Sequence, residues 1–286
     1  MKWFLRSGPG ERSEPRPRLE GLAGQTIVIT GASSGIGAEA ARKVARLGAT
    51  VCLLARREDE LADVRTSIEA AGGTAYAYAV DLSDADATTD VAAQLLADHP
   101  RIDALVNNAG RSIRRPITES LDRVHDYERT MAINYFGAVR LTLALLPRFL
   151  EQGHGHVVIS SSMSTQVPIP LFSAYLASKA ALESFTRSLT AELGHEGITS
   201  TTVHFPMVRT EMSAATQIYQ AMPMLSADKA ANWLVKAIVD KPTRVTSLPG
   251  AMGELGMAAL PGVVTKVSQP LFRRMDKSLA KRVTWD

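Results

Sequence analysis

Disulfide chemistry is the first thing this sequence lacks: its 286 residues include one cysteine, Cys52. An intramolecular disulfide is excluded, and the composition is compatible with a reducing compartment. Cys52 lies in the apolar run TVCLLA (50–55), which predicts a buried structural thiol rather than a nucleophile. Long hydrophobic runs are also absent. No stretch approaches the roughly 20 apolar residues that span a bilayer, and the start, MKWFLRSGPGERSEPRPR, is apolar for only three residues before turning Pro/Arg-rich. It does not read as a signal peptide. Strong charge of one sign is missing too. The formal net charge is +3 and the sequence pI is about 9.0, with acidic and basic residues interspersed, so no nucleic-acid footprint is expected. No internal repeat and no long linker is visible.

What is present is a 45% hydrophobic content, ample for one large α/β domain. Strand-like and helix-like patterns alternate. Strands are expected at 25–30, 50–55, 74–80, 103–107, 156–160, 198–205 and 244–248. Between them lie helices at 38–48, 57–71, about 83–97, 130–150, 174–193 and from 226 to before Pro242, with Ser83 and Ser226 as caps. The 130–150 helix places Ala132, Phe136, Val139, Leu143, Leu146 and Leu150 on one expected buried stripe, and Pro147 is expected to kink it. This order predicts a doubly wound parallel sheet, a Rossmann fold. Residues 1–20 read as a disordered tail, 21–248 as the Rossmann domain and 249–286 as an apolar C-terminal extension.

The stretch TGASSGIG, Thr30–Gly37, sets Gly31, Gly35 and Gly37 between the first strand and the first helix. Such a turn gathers unpaired backbone N–H groups and the positive end of the helix dipole at one spot. Glycine also lets a diphosphate approach the backbone closely. The position in the chain, more than the glycines alone, predicts a dinucleotide pocket.

Further stretches follow in order: Asp81 after the third strand, NNAG (107–110) after the fourth, Asn134 on the long helix, Ser162, and YLASK with Tyr175 and Lys179. With the spacing TGxxxGxG, a serine 13 residues before the tyrosine, and YxxxK, residues 22–248 resemble the short-chain dehydrogenase/reductase family. The resemblance implies an oxidoreductase with catalytic Asn134, Ser162, Tyr175 and Lys179. It implies cofactor contacts from Gly31, Ser33, Ser34, Gly35, Ile36, Gly37, Asp81, Leu82, Asn108, Ala109, Gly110, Tyr175, Lys179, Pro206, Val208 and Thr210. NAD-using proteins usually end the second strand with an acid that binds the ribose hydroxyl. Here Ala55 stands there, followed by Arg56 and Arg57. A guanidinium suits a 2′-phosphate, so NADPH is expected, with Arg56 the nearer candidate.

Tyr175 and Lys179 are four apart on a helix and share a face. A lysine ammonium and a bound nicotinamide cation would lower the phenol from its ordinary value of about 10. In the reductive direction the phenol donates a proton as hydride arrives at carbon. By the resemblance, Lys179 also grips the nicotinamide ribose, Ser162 orients the substrate oxygen, and Asn134 holds a water that relays the proton. His154 and His156 form an HxH without an evident third ligand and read as turn residues, so no metal is expected.

For the substrate, Arg111, Arg114 and Arg115 crowd the loop after the fourth strand. They suit a phosphorylated substrate or form a plain solvated loop. The segment 248–272 is rich in Leu, Val, Met and Gly, and fits an apolar lid, a membrane interface or packing on the core. Finally, NNAGRSIRR, LDRVHDYERTM (121–131), NYFGAVRL (134–141) and parts of 206–245 are similar to the bacterial fatty acyl-CoA reductases, which form fatty aldehydes with NADPH. That resemblance implies an acyl-CoA substrate. Met207 stands where many members of the broad family have glycine, and would add an apolar wall beside the nicotinamide. With only Cys52, hydride must reach the bound thioester directly. The alternatives are a ketone or aldehyde reductase and a non-catalytic NADP-binding regulator; an epimerase or dehydratase fits the glycine spacing poorly. By the resemblance, the 130–150 and 174–193 helices build a homodimer or homotetramer. The expected location is the cytoplasm, with peripheral membrane contact an alternative use of the tail or the extension.

Overall fold

A computed structural model describes residues 21–167, 169–214, 224–267 and 269–270. The expected tail at 1–20 and the extension beyond 270 lie outside the described residues. The chain opens β1 (Thr26–Thr30), α1 (Gly35–Arg46), β2 (Thr50–Ala55), α2 (Glu58–Ala70), β3 (Thr74–Ala79), α3 (Ala85–Asp98) and β4 (Ala104–Asn107). It continues α4 (Val124–Met131), α5 (Ala138–Gln152), β5 (Gly155–Ser162), α6 (Ser173–Leu193) and β6 (Ile198–Phe205). The remaining elements are β7 (Val208–Arg209), α7 (Glu211–Ala214), β8 (Leu225–Ser226), α8 (Ala227–Asp240), β9 (Arg244–Val245) and α9 (Leu248–Ala259).

Seven described strands form one parallel sheet in the order β3-β2-β1-β4-β5-β6-β9. TIVIT of β1 and ALVN of β4 are buried along their whole length, as continuous apolar strands covered on both faces must be. One face packs Val44 of α1, Leu61 of α2 and Leu234 of α8. The other packs Leu95 of α3, Leu141 and Phe149 of α5 and Leu182 of α6. The strand order reverses between β1 and β4, so a crevice opens at the carboxyl ends of these strands. TGASSGIG, NNAG and Ser162 all follow or end strands on that edge.

The structure alters several local expectations. Asp84, not Ser83, caps α3 by accepting from the Ala87 N–H at 3.0 Å. Ser83 instead hydrogen-bonds Asp81 through both its N–H and its hydroxyl. Ser226 does cap α8, accepting from the Lys229 N–H. The single helix expected at 130–150 is α4 and α5 joined by a π-helical turn, Ala132–Gly137, and α5 continues through Pro147 to Gln152. Each π turn adds a residue and shifts the helical phase. The stripe read from sequence therefore points partly outward: Phe136, Leu143 and Leu150 are exposed, while Leu141, Leu145 and Phe149 form the buried face. The last strand is two residues long, and Leu248 already begins α9. The short β7–β8 pair has no sequence signal of its own. His156 lies inside β5 rather than in a turn, bonded to Thr199 and the Ala237 carbonyl, and burial pushes its imidazole down to about 4. Cys52 is fully buried, and burial pushes its thiol up to about 12.

Candidate active site

The glycine turn is built by close approach. A Cβ on Gly37 would lie 2.2 Å from the Gly31 carbonyl oxygen, and one on Gly31, whose φ is +65°, would lie 2.9 Å from Ala109 Cα. Only glycine lets the start of α1 sit this near the end of β4. The first hydrogen bond of α1 runs from Ala38 N to the Ser34 carbonyl. The N–H groups ahead of it have no intrahelical partner and face an anion's natural place. Thr30 ties this edge together. Its hydroxyl donates to the Val106 carbonyl and accepts from the N–H groups of Asn108 and Ala109, each at 2.9 Å. The Asn108 side-chain amide donates to the Thr30 carbonyl and accepts from the Ser160 hydroxyl at 3.0 Å. Thr30 and Ser160 are site-building residues that sequence reasoning passed over; the threonine stood in the quoted motif.

The two arginines after β2 take different partners. Arg57 donates to Ser34 Oγ at 2.7 Å and Ser33 Oγ at 3.3 Å, and pairs with Glu60 and Glu211. Arg56 is more exposed and reaches Asp81 at 3.6 Å. Thr210 closes the same turn, its methyl 3.3 Å from where a Gly35 Cβ would stand. Ile36 packs against the core, Leu82 and Val208 are buried, and Pro206 and Met207 are half-buried. Gly137, which sequence reasoning missed, lets the π turn press on the Leu82 carbonyl: a Cβ there would lie 2.3 Å from that oxygen.

Tyr175 and Lys179 lie on α6. The ammonium is buried, donates to the Ser160 carbonyl at 2.7 Å, and sits 5.8 Å from the centre of the Tyr175 ring. Burial pulls Lys179 down to about 8, against the opposing pull of Glu183. Burial pushes the Tyr175 phenol up to about 12, assisted by Glu183 and resisted by a hydrogen bond from Ser162. A phenol so raised keeps its proton at neutral pH and is suited to donate it. Ser162 ends β5, and its Oγ also accepts from the Ser164 N–H at 3.1 Å. Asn134, buried in the π turn, spends its side chain on protein partners. Its amide donates to the Arg111 carbonyl and Ser178 Oγ, and its oxygen accepts from the Arg111 N–H. It fixes the chain after NNAG, with Gly110 between it and Lys179.

The three loop arginines are not brought together. Arg115 bonds the buried Asp126 at 3.1 Å, which Arg123 and Arg129 also hold, and its N–H donates to the Leu171 carbonyl. Hydrogen bonding from Arg129 above all keeps the Asp126 carboxyl far below its usual range. Arg111 and Arg114 have no ion-pair partner among the described residues. Leu171 is held at φ +70°, a strained backbone for leucine. Beyond Ser162, the turn Met163–Thr165 leads to Gln166, whose amide donates to Glu254 of α9 at 2.7 Å and accepts from Thr246. Gly250 and Gly253 bring α9 against Gln166 and Val167. His154 is taken by Asp103 at 3.0 Å, and no group of three or more metal-type ligands occurs among the described residues.

A glycine-cradled crevice at a sheet switch point, with a serine and a Tyr–Lys pair beside it, defines an oxidoreductase of the dinucleotide-binding kind. The chain belongs to the short-chain dehydrogenase family, whose model matches residues 25–220. It is 46% identical over 266 residues to an uncharacterized oxidoreductase of Mycobacterium tuberculosis, covering 92% of this chain and 78% of the relative. It is 44% identical over 244 residues to the fatty acyl-CoA reductase of Acinetobacter baylyi, covering 85% and 83%. Among solved structures it resembles a metagenomic short-chain oxidoreductase in complex with NADP, with a TM-score of 0.69 and 32% identity over 79% of this chain and 98% of the other. No helix among the described residues is long and apolar enough to cross a membrane.

Proposed function

We propose that this chain reduces long-chain acyl-CoA to fatty aldehyde with NADPH. The observation that carries the substrate reading is the seating of the apolar helix α9 on the turn just after Ser162. α9 also carries Leu248, Met252 and Leu255 as exposed apolar side chains, a surface compatible with an alkyl chain. The likeness to the Acinetobacter enzyme supports the same choice. NADPH is supported by the unpaired N–H groups of the glycine turn, the uncharged Ala55 and the two arginines behind it.

In this reading the nicotinamide supplies hydride to the thioester carbonyl carbon. Ser162 and Tyr175 hold the oxygen and stabilise the charge that develops on it. The C–S bond then breaks, the carbonyl re-forms and the thiolate leaves as CoA. Lys179 would hold the nicotinamide ribose beside Tyr175, and Asn134 keeps the loop at Arg111 in register with it. Arg111 and Arg114 face the phosphorylated end of CoA; Arg115 is committed to Asp126. The outward apolar residues Phe136 of the π turn and Leu143 and Leu150 of α5 would form the seam of a homodimer or homotetramer.

The test is NADPH oxidation dependent on palmitoyl-CoA, with one free thiol released per NADPH consumed. Turnover of ketones or aldehydes without any acyl-CoA-dependent oxidation would replace this reading with a simple carbonyl reductase. Changing Arg111 and Arg114 to Glu is expected to raise KM for acyl-CoA by about tenfold or more and leave that for a free aldehyde alone. An equal change for both substrates would remove the phosphate role.

The arginines behind the glycine turn divide the cofactor. Arg57, on Ser33 and Ser34, takes the 2′-phosphate, and Arg56 lies beside Asp81 on the adenine side. A charge-assisted hydrogen bond contributes about 1.5–3 kcal/mol. Arg57→Ala should therefore weaken NADPH binding by about 10- to 100-fold with little effect on NADH, and Arg56→Ala should do less. The ratio of the two dissociation constants, measured by fluorescence titration, decides it, and a larger effect at Arg56 would restore the expectation from sequence.

A further inference from the structure

Glu183 is a buried carboxylate with no place in the site described so far. It lies on α6 four residues past Lys179 and eight past Tyr175, and only 12% of its side chain is exposed. Three side chains from three other segments converge on one of its oxygens. The hydroxyls of Ser161, at the end of β5, and Thr165, in the turn that follows, both donate to Oε1, Thr165 at 2.8 Å. His204 of β6 places Nε2 3.3 Å from the same oxygen. Ser161 immediately precedes Ser162, and Thr165 Oγ1 lies 2.8 Å from both the Ser162 carbonyl and Glu183 Oε1, so its one hydroxyl proton is shared between the two. Glu183 thus grips the chain on both sides of Ser162 from the helix that carries Tyr175 and Lys179.

The charge state follows from the partners. His204 is buried, and its Nδ1 has no hydrogen-bond partner among the described residues. Its Nε2 carries the contact to Glu183. Burial raises the Glu183 carboxyl, but the hydrogen bonds from His204, Ser161 and Thr165 outweigh it and hold the group below its ordinary value. The carboxylate is ionised, and its one ion-pair contact among the described residues is His204.

We propose that Glu183 is a positioning residue for the reductase reaction: it locks the Ser162 turn against the Tyr175–Lys179 helix and sets a carboxylate on that helix, four residues past the lysine and eight past the tyrosine. The inference rests on the reductase reading but not on the identity of the carbonyl substrate. The negative charge favours the proton-bound form of each neighbour, and its pull on both is upward. The groups in contact with this carboxylate are Ser161, Thr165 and His204 from the neighbouring elements, and its charge acts on Lys179 and Tyr175 of its own helix.

Two substitutions separate charge from grip. Glu183→Gln removes the charge and keeps an oxygen acceptor, so Lys179 and Tyr175 should titrate lower. The alkaline limb of the kcat/KM profile for reduction is expected to move down by about one pH unit. Glu183→Asp keeps the charge and shortens the reach. It should lower kcat by about tenfold or more, with the alkaline limb where the wild type has it and NADPH affinity unchanged. An activity-free measurement accompanies them: the titration of 13Cε-labelled Lys179 in the cofactor-free protein, its signal assigned by loss in Lys179→Arg. That midpoint should fall in Glu183→Gln and stay in Glu183→Asp. Unmoved Lys179 titration in a folded Glu183→Gln variant overturns the inference, as does wild-type kcat in Glu183→Asp. A wild-type protein that turns over no carbonyl substrate would instead reject the reductase reading, and the lysine titration would still report on Glu183.

Discussion

Replacing Tyr175 by phenylalanine is expected to lower reductive turnover by about 10²- to 10⁴-fold, the ordinary worth of a positioned general acid. Only the hydroxyl is removed. The ring remains beside Lys179, whose ammonium keeps its bond to the Ser160 carbonyl. Ser162 keeps the Ser164 N–H as a donor to its oxygen, and only its own hydroxyl proton loses an acceptor. NADPH binding, followed by fluorescence titration, should be nearly unchanged, and the loss should fall on kcat. Burial pushes the phenol up to about 12, so across neutral pH its proton is present. Full turnover in a Tyr175→Phe variant would mean that the proton comes from elsewhere and would remove the assigned chemistry.

The second large effect is predicted for Gly37→Ala. One methyl group would arrive 2.2 Å from the Gly31 carbonyl oxygen and 2.7 Å from the Asn108 side-chain nitrogen. The oxygen is backbone and cannot swing aside. Gly31 cannot retreat either, because it already abuts Ala109 in a left-handed conformation. The first turn of α1 must therefore move away from β4, taking its N–H groups with it. Overpacking of this kind costs about 1–3 kcal/mol of stability, and a displacement near 1 Å in a binding cradle costs about 10²-fold. NADPH affinity should fall by that order while the sheet stays folded, as circular dichroism and Tm would show. Gly194→Ala is the control, since a Cβ there meets nothing within 4 Å and φ is ordinary. Wild-type NADPH affinity in Gly37→Ala would mean that the dinucleotide does not lie on this turn.

All seven strands of the sheet were legible in the sequence, because buried parallel strands are continuous apolar runs and helices between them carry a different period. The glycine turn and the Tyr–Lys pair were legible for a related reason: each is a local requirement, an approach of backbones or a one-turn spacing, written within eight residues. The outward face of α5 was misread because the π turn at Ala132–Gly137 resets the helical phase, and a widened turn leaves no mark in hydrophobic spacing. The cap at Asp84 was misread because Ser83 and Asp84 are both good caps, and Asp81 claimed the serine.

By itself the sequence determined the doubly wound fold and the glycine turn at its crevice, since these follow from periodicity and from residues a few positions apart. Tertiary structure alone decided which arginine meets the glycine turn, that Arg115 belongs to Asp126, and that a carboxylate at 183 binds both sides of Ser162. Each of these is a choice among charged side chains long enough to reach several partners. Distance along the chain does not rank such partners; only the packed positions of β5, β6 and α6 bring Ser161, Thr165, His204 and Glu183 to one point.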